Sequence, residues 1–242
     1  MRSGILSFTV VIAVTLLMRV HTSCFIGHDQ TTFMDRINND KMFWQSQVFS
    51  VLSCLRQCYR FTGCMSFFYN EITKVCSLQS IVYLFEEQAS TETGSRYFIP
   101  IQSGNCPVGG GFMHNRALEI CYNFKCCNFY DALALKAECN ASDTKLIKID
   151  TAEKQNHMAA FLEQESTGYT LIQGTRDESG VYRYDDGTIM TYFNWDDEDN
   201  EPEERSGEVY ILVKKQTQFQ WHDALQHAQY NRSNLVCEAS VL

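Results

Sequence analysis

Residues 194–208 read NWDDEDNEPEERSGE, and seven of the nine residues from Asp196 to Glu204 are acidic. Pro202 stands inside the run, Trp195 precedes it, and Trp221-His222-Asp223 follows a short apolar stretch. So many carboxylates repel one another unless they are solvated or hold a cation. Ten carboxylates lie between Asp185 and Glu208, so the acidity is local and points to a site more than to general solubility.

Working outward, Val209–Val213 (VYILV) is an unbroken apolar run, the pattern of a strand covered on both faces. Gln218–Trp221 and Asn234–Glu238 are further strands. Upstream, Tyr182-Arg-Tyr184 alternates before Asp185-Asp186-Gly187, a tight turn, and Tyr169–Gly174 is a strand. Lys145–Asp150 alternates as a strand, with Leu146 on one face and Ile147 and Ile149 on the other. Asp150-Thr-Ala-Glu153 is a capping-box-like start for a helix carrying Met158, Phe161 and Leu162 inward. His157 on it lacks an HExxH partner and is expected to be exposed and structural. Phe129–Cys139 is a second helix, and the glycines at 109–111 a hairpin turn. Helices early and many short strands later make an α+β class.

The chain has 242 residues, eleven of them cysteine, and a formal net charge of −9. Arg2 followed by the apolar run Ile5–Met18 and small residues near Ser23 predicts a secretory signal peptide over 1–23. Without it the net charge is −11, since Arg2 and Arg19 go with it. No later segment is apolar enough to span a membrane, and the cysteine number suits a secreted, disulfide-bonded protein. The absence of a basic patch argues against nucleic acid as a partner. Asn140-Ala-Ser142 and Asn231-Arg-Ser233 are glycosylation sequons in that compartment. No nucleophile elbow, HExxH or phosphate loop is present, so an enzyme is not expected.

Before residue 100 the pattern differs. Phe43–Val51 is a strand running into a helix that Ser50 or Ser53 could cap, and Cys54 and Cys58 fall on one helix face. Cys64–Tyr69, Val75–Leu78 and Ser95–Ile99 are strands. The run CLRQCYRFTGCMSFFYN and the later VCSL resemble a PAN/apple domain over residues 24–100. The resemblance implies disulfides Cys54–Cys76 and Cys58–Cys64, both joining helix to hairpin. Cys24 is left over, and residues 101–105 make a linker.

Residues 106–242 resemble a long-form C-type lectin domain. Cys106-Pro107 and Cys121-Tyr122 are similar to its extra N-terminal hairpin, and Cys139 and Cys237 to its outer disulfide. Residues 174–187, GTRDESGVYRYDDG, follow the family's GLxDxxGxWxWxDG run with Tyr182 and Tyr184 in the Trp places. Phe193-Asn-Trp195, Glu201-Pro202-Glu203 and Trp221-His222-Asp223 then follow in the family's order. Departures are Ile172-Gln173-Gly174 for WIG and the loss of the inner disulfide, whose places fall near Val209 and Gln226. Cys126 and Cys127 are extra.

The resemblance implies a calcium ion held by Glu201, Glu203, Glu208 and Asp223, with His222 in the place of the family's Asn joining them in ligand contact. Imidazole suits zinc or copper better than calcium, although His222 with two or three acids is a sparse zinc set. The expected function is a secreted, calcium-dependent lectin binding glycans or glycoproteins through this loop. Its PAN-like unit would add a surface for proteins or oligomers. The alternative is a calcium-independent protein-binding or matrix protein on the same scaffolds.

Overall fold

The computed structural model describes residues 25–86, 89–102, 106–107, 110–126, 129–165, 168–203, 205–225, 230–231 and 233–240. The expected signal peptide, Cys24, Cys127, Glu204 and Gln226 lie outside them. No helix among the described residues is long and apolar enough to cross a membrane.

The first unit is a five-stranded antiparallel sheet. Its strands are β1 (Phe25–Gln30), β3 (Met42–Gln47), β4 (Ser66–Asn70), β5 (Val75–Gln79) and β7 (Ser95–Gln102), in the order β1-β7-β4-β5-β3. Two short strands, β2 (Arg36–Ile37) and β6 (Ser90–Thr91), pair with each other at its side. Helix α1 (Val51–Arg60) starts at Ser50, whose side chain accepts from the Ser53 amide at 3.2 Å. Alternation along β4 sorts the core into two layers. Phe67 and Tyr69 pack with Cys54, Leu55 and Cys58 of α1, and Phe68 packs with Phe33, Tyr83 and Tyr97 on the other face. Disulfides Cys54–Cys76 and Cys58–Cys64 join α1 to β5 and to the segment leading into β4. Strand β7 continues through Pro100 to Gln102, paired with β1, and so enters the stretch expected as a linker.

The second unit is built on strands β8 (Met113–Asn115), β9 (Ile120–Cys126), β12 (Tyr169–Arg176), β14 (Glu208–Lys214), β15 (Gln220–Leu225) and β17 (Ser233–Ala239), in the order β15-β14-β12-β17-β9-β8. Shorter strands are β10 (Phe129–Tyr130), β11 (Lys145–Leu146), β13 (Tyr182–Arg183) and β16 (Tyr230–Asn231). Helices α2 (Ala132–Asn140) and α3 (Ala152–Leu162) flank the sheet. The central strands are covered on both sides. Leu171, Leu212 and Leu235 face a core with Leu135 of α2, while Ile172, Ile211 and Val236 face a larger one with Met158 and Phe161 of α3. Leu146 joins the first core and Ile147 and Ile149 the second. Disulfides Cys139–Cys237 and Cys106–Cys121 close α2 onto β17 and the N-terminal segment onto β9. Gly174 sits at φ +146° where β12 shifts register against β14, and a Cβ there would meet the Ile211 side chain at 2.5 Å.

Several local expectations need correcting. The second unit's first helix starts at Ala132, not Phe129, because Asp131 caps it and Phe129–Tyr130 pairs with β16. The cap of α3 is Thr151, whose hydroxyl accepts from the Lys154 amide, while Asp150 pairs with Lys154 Nζ at 2.7 Å. The strand expected over 145–150 ends at Leu146, since the Lys148 amide leaves the ladder for the Glu238 carboxylate. Gln218 and Phe219 take positive φ, so β15 begins at Gln220. The turn joining β8 to β9 lies over 116–119, after the glycines. His157 is not exposed: its Nε2 meets the Tyr122 hydroxyl at 2.8 Å, and burial lowers its pKa to about 4.

The two units share a core. Met65 and Val82 of the first pack into the α3-facing cluster of the second. Arg116, in the β8–β9 turn, donates to the carbonyls of Cys58, Tyr59, Phe61 and Cys64 at 2.6–3.1 Å, four acceptors around the end of α1. Gln164, just past α3, donates to Val82 O and accepts from the Leu84 amide, both at 2.9 Å.

Candidate functional site

The acidic loop leaves the sheet at Trp195 and rejoins it at Glu208, the first residue of β14. Trp195 and Trp221 form a parallel bridge, and the Trp221 amide donates to Asn194 O at 2.7 Å. Their rings meet edge to face at 5.9 Å, and Trp221 Nε1 donates to Gln155 of α3. The first end of the loop is thereby fixed on the larger core, against β15. The next residue, Asp196, is buried, and its Oδ1 accepts from the amides of Glu198 and Asp199 at 3.2 and 3.4 Å. Its carbonyl accepts from the Glu201 amide at 3.0 Å. The loop therefore folds around Asp196, leaving Asp197, Glu198 and Asp199 at the surface.

Opposite Asp196, β15 contributes His222 and Asp223. His222 is only 1% exposed. Its Nδ1 meets Glu201 Oε1 at 2.6 Å, and its Nε2 meets Asp196 Oδ2 at 3.2 Å. Lys214 Nζ approaches Nδ1 at 2.9 Å, and the Thr217 hydroxyl approaches Nε2 at 3.2 Å. The second Glu201 oxygen accepts from the Asp223 amide at 3.1 Å. Burial raises the Glu201 pKa, and the bonds from His222 and from the Asp223 amide oppose that rise. The Glu201–Pro202 peptide is cis.

The expected ligands are thus only partly brought together. Glu201, His222 and Asp223 are contiguous. Glu203 turns to Arg205, 2.6 Å away, and Glu208 Oε2 accepts from the Arg205 amide at 3.2 Å. Calcium takes six to eight oxygen ligands. Here both Glu201 oxygens are bonded, two of the expected carboxylates are held by Arg205, and an imidazole stands among the donors. The residues as arranged do not fit that ion. Among the described residues, the group whose ligand atoms lie within 4.8 Å of one another is Asp196, Asp199 and His222. Sequence reasoning passed over Asp196 and Asp199. The available signal was that Asp196 directly follows Trp195, the residue that pairs with the strand carrying His222.

The sequon Asn140 is exposed at the end of α2, and Asn231 lies in β16.

The lectin C-type domain family model matches residues 128–239, and the PAN domain model matches residues 24–102. No curated protein matches the sequence. Among solved structures, the carbohydrate-recognition domain of mouse scavenger receptor C-type lectin is 18% identical, covering 56% of this chain and 100% of its own, with a TM-score of 0.46. The C-type lectin CEL-I from Cucumaria echinata is 17% identical, covering 56% of this chain and 99% of its own, with a TM-score of 0.47. The Ca2+-independent C-type lectin SPL-2 from Saxidomus purpuratus is 22% identical, covering 55% of this chain and 92% of its own, with a TM-score of 0.46.

Proposed function

Because the chain is a PAN domain followed by a C-type lectin domain, we propose that it is a secreted lectin-like binding protein that takes a glycan or glycoprotein on the Asn194–Glu208 loop, with that loop ordered through His222 and not through calcium. Both domain families are non-catalytic and typical of extracellular proteins, which supports a binding role outside the cell.

The observation that carries the reading is His222 between two acids, 2.6 Å from Glu201 and 3.2 Å from Asp196. A carboxylate on each ring nitrogen joins the far part of the loop to its first residue and to β15. Recognition would then use the exposed carboxylates of Asp197, Glu198 and Glu203 as hydrogen-bond acceptors. The PAN domain adds a second surface for proteins or further copies, which raises weak affinities by multivalency. Glycans on Asn140 and Asn231 belong to the same reading.

A second reading has Glu201, Glu203, Glu208 and Asp223 hold calcium, since the loop brings Glu201 beside Asp223; the amide bond between them would then have to open. In that case calcium would draw Glu203 from Arg205 and His222 would turn away. The two readings separate in one experiment. Chelator-treated protein is melted with and without millimolar calcium and passed over a glycan array in both states. An unchanged melting temperature with calcium-independent retention supports the first reading. A rise of several degrees with calcium, and retention only in its presence, replaces it with the second.

A further inference from the structure

We propose that Asp196, Asp199 and His222 form a zinc site at the base of the loop, with Glu201 holding the histidine from its far side. Its starting point is the position of the two ring nitrogens. Nδ1 has the Glu201 carboxylate at 2.6 Å, and Nε2 has the Asp196 carboxylate at 3.2 Å. When Nδ1–H donates to Glu201, which requires the Lys214 ammonium 2.9 Å away to turn aside, Nε2 presents a lone pair to a carboxylate oxygen. Two acceptors at that separation need something positive between them, either a second ring proton or a metal ion. Metal-ligating histidines commonly give their other ring N–H to a carboxylate, which fixes the tautomer and ring orientation. Glu201 occupies that position here.

The donors are also the right kind and nearly at the right spacing. One imidazole nitrogen and two carboxylate oxygens form a set that zinc accepts, whereas calcium disfavours nitrogen. Tetrahedral ligands on zinc stand about 3.3 Å apart. The His222–Asp196 pair is already at 3.2 Å, and all three ligand atoms lie within 4.8 Å of one another. Asp196 is pre-oriented, because its Oδ1 is tied to the Glu198 and Asp199 amides and its Oδ2 faces the histidine. His222 and Asp196 are buried while Asp199 is exposed, so the ion would be covered from below and reached from the surface. Lys214 Nζ, 2.9 Å from Nδ1, and Thr217 Oγ1, 3.2 Å from Nε2, are the other groups at the ring. Zinc would displace the threonine contact, and the ammonium would have to leave Nδ1 to Glu201.

The inference rests on the His222-centred loop proposed above and is independent of the loop's ligand. The test titrates zinc chloride, and separately calcium chloride, into the full secreted chain after chelator treatment, read by calorimetry and by melting temperature. Cobalt is used as a spectroscopic substitute. The expected result is one zinc per chain and a rise of about 5 °C at a hundredfold excess over Kd. Cobalt should give the visible bands of a four-coordinate site. Because Asp199 is exposed, Asp199→Asn should keep the fold and weaken zinc at least about tenfold, the loss of one ligand. His222→Asn should abolish binding. No zinc binding, or zinc binding unchanged in Asp199→Asn, overturns the site. Calcium displacing zinc at comparable concentration overturns the choice of ion. Should calcium alone raise the melting temperature, the calcium-free reading fails whatever zinc does. Should neither ion act, only the zinc site fails.

Discussion

The two domains fasten their critical segments by different chemistry. In the PAN domain, α1 is bound by Cys54–Cys76 and Cys58–Cys64, and its core layers form around those sulfurs. In the lectin domain, the long loop is fastened to β15 by Glu201, Asp196 and His222, all polar. A covalent staple acts chiefly by restricting the unfolded chain, and it is indifferent to pH and ions over the ordinary range. A buried polar cluster acts only in the folded state and answers to whatever protonates or coordinates there. The part of the molecule proposed to meet a ligand is therefore also the part open to chemical adjustment.

The sharpest way to break this contrast is His222→Leu. It leaves Asp196 and Glu201 without the imidazole, and stranding two buried acceptors in this way costs about 4 kcal/mol. Urea unfolding should show that loss, and hydrogen exchange should place it in residues 194–203 and β15 while α1 stays protected. Equal loss of protection in both domains would end the comparison.

Replacing the Cys54–Cys76 pair with alanines removes a bridge of sequence separation 22 and should cost about 3 kcal/mol. Calorimetry should show the loss in the PAN domain, with proteolysis at the acidic loop unchanged.

Acid should discriminate next. The folded pKa of His157 is about 4, below the free imidazole value, because burial beside Tyr122 favours the neutral ring. Stability from that neutral ring is fully present above about pH 6.5 and is lost as pH falls towards the folded value, roughly 3 kcal/mol in all. Melting curves of the wild type and His157→Gln between pH 7 and 4 should converge as the pH drops.

The smallest effect concerns the seam. Arg116→Ala removes donors from four carbonyls and should cost about 2 kcal/mol. A single melting transition should split into two, since the substitution weakens the link between the domains without touching either fastening.

Much of the fold could be read from the sequence because its determinants are local or periodic. The unbroken VYILV run announces a strand covered on both faces, and Tyr210, Ile211, Leu212 and Val213 are all buried. Alternation at Leu146, Ile147 and Ile149 foretells which core each joins. Order and spacing of the Trp, Pro and Gly landmarks carried the lectin reading, and the Cys spacings carried the PAN reading. Helix starts were less legible, since Asp150 stands beside the true cap Thr151, and Phe129–Tyr130 pair with a distant strand before Asp131 opens α2. The site was legible only as a region. Acidity marked the loop, but nothing along the chain says that Asp196 turns inward while Asp197 and Glu198 turn out. That choice depends on a partner 26 positions away, His222, and such a contact has no period to betray it. The same holds for Arg116, whose acceptors lie 52 to 58 positions upstream.

Arg116 and Gln164 have a consequence beyond stability. Two domains on a loose tether sample many separations, and their joint grip on a partner is set by tether length. Here the continuous core and the two side-chain straps fix one separation and one orientation. Under the proposed function the molecule would work as a ruler, measuring a partner that touches both domains against a fixed interval.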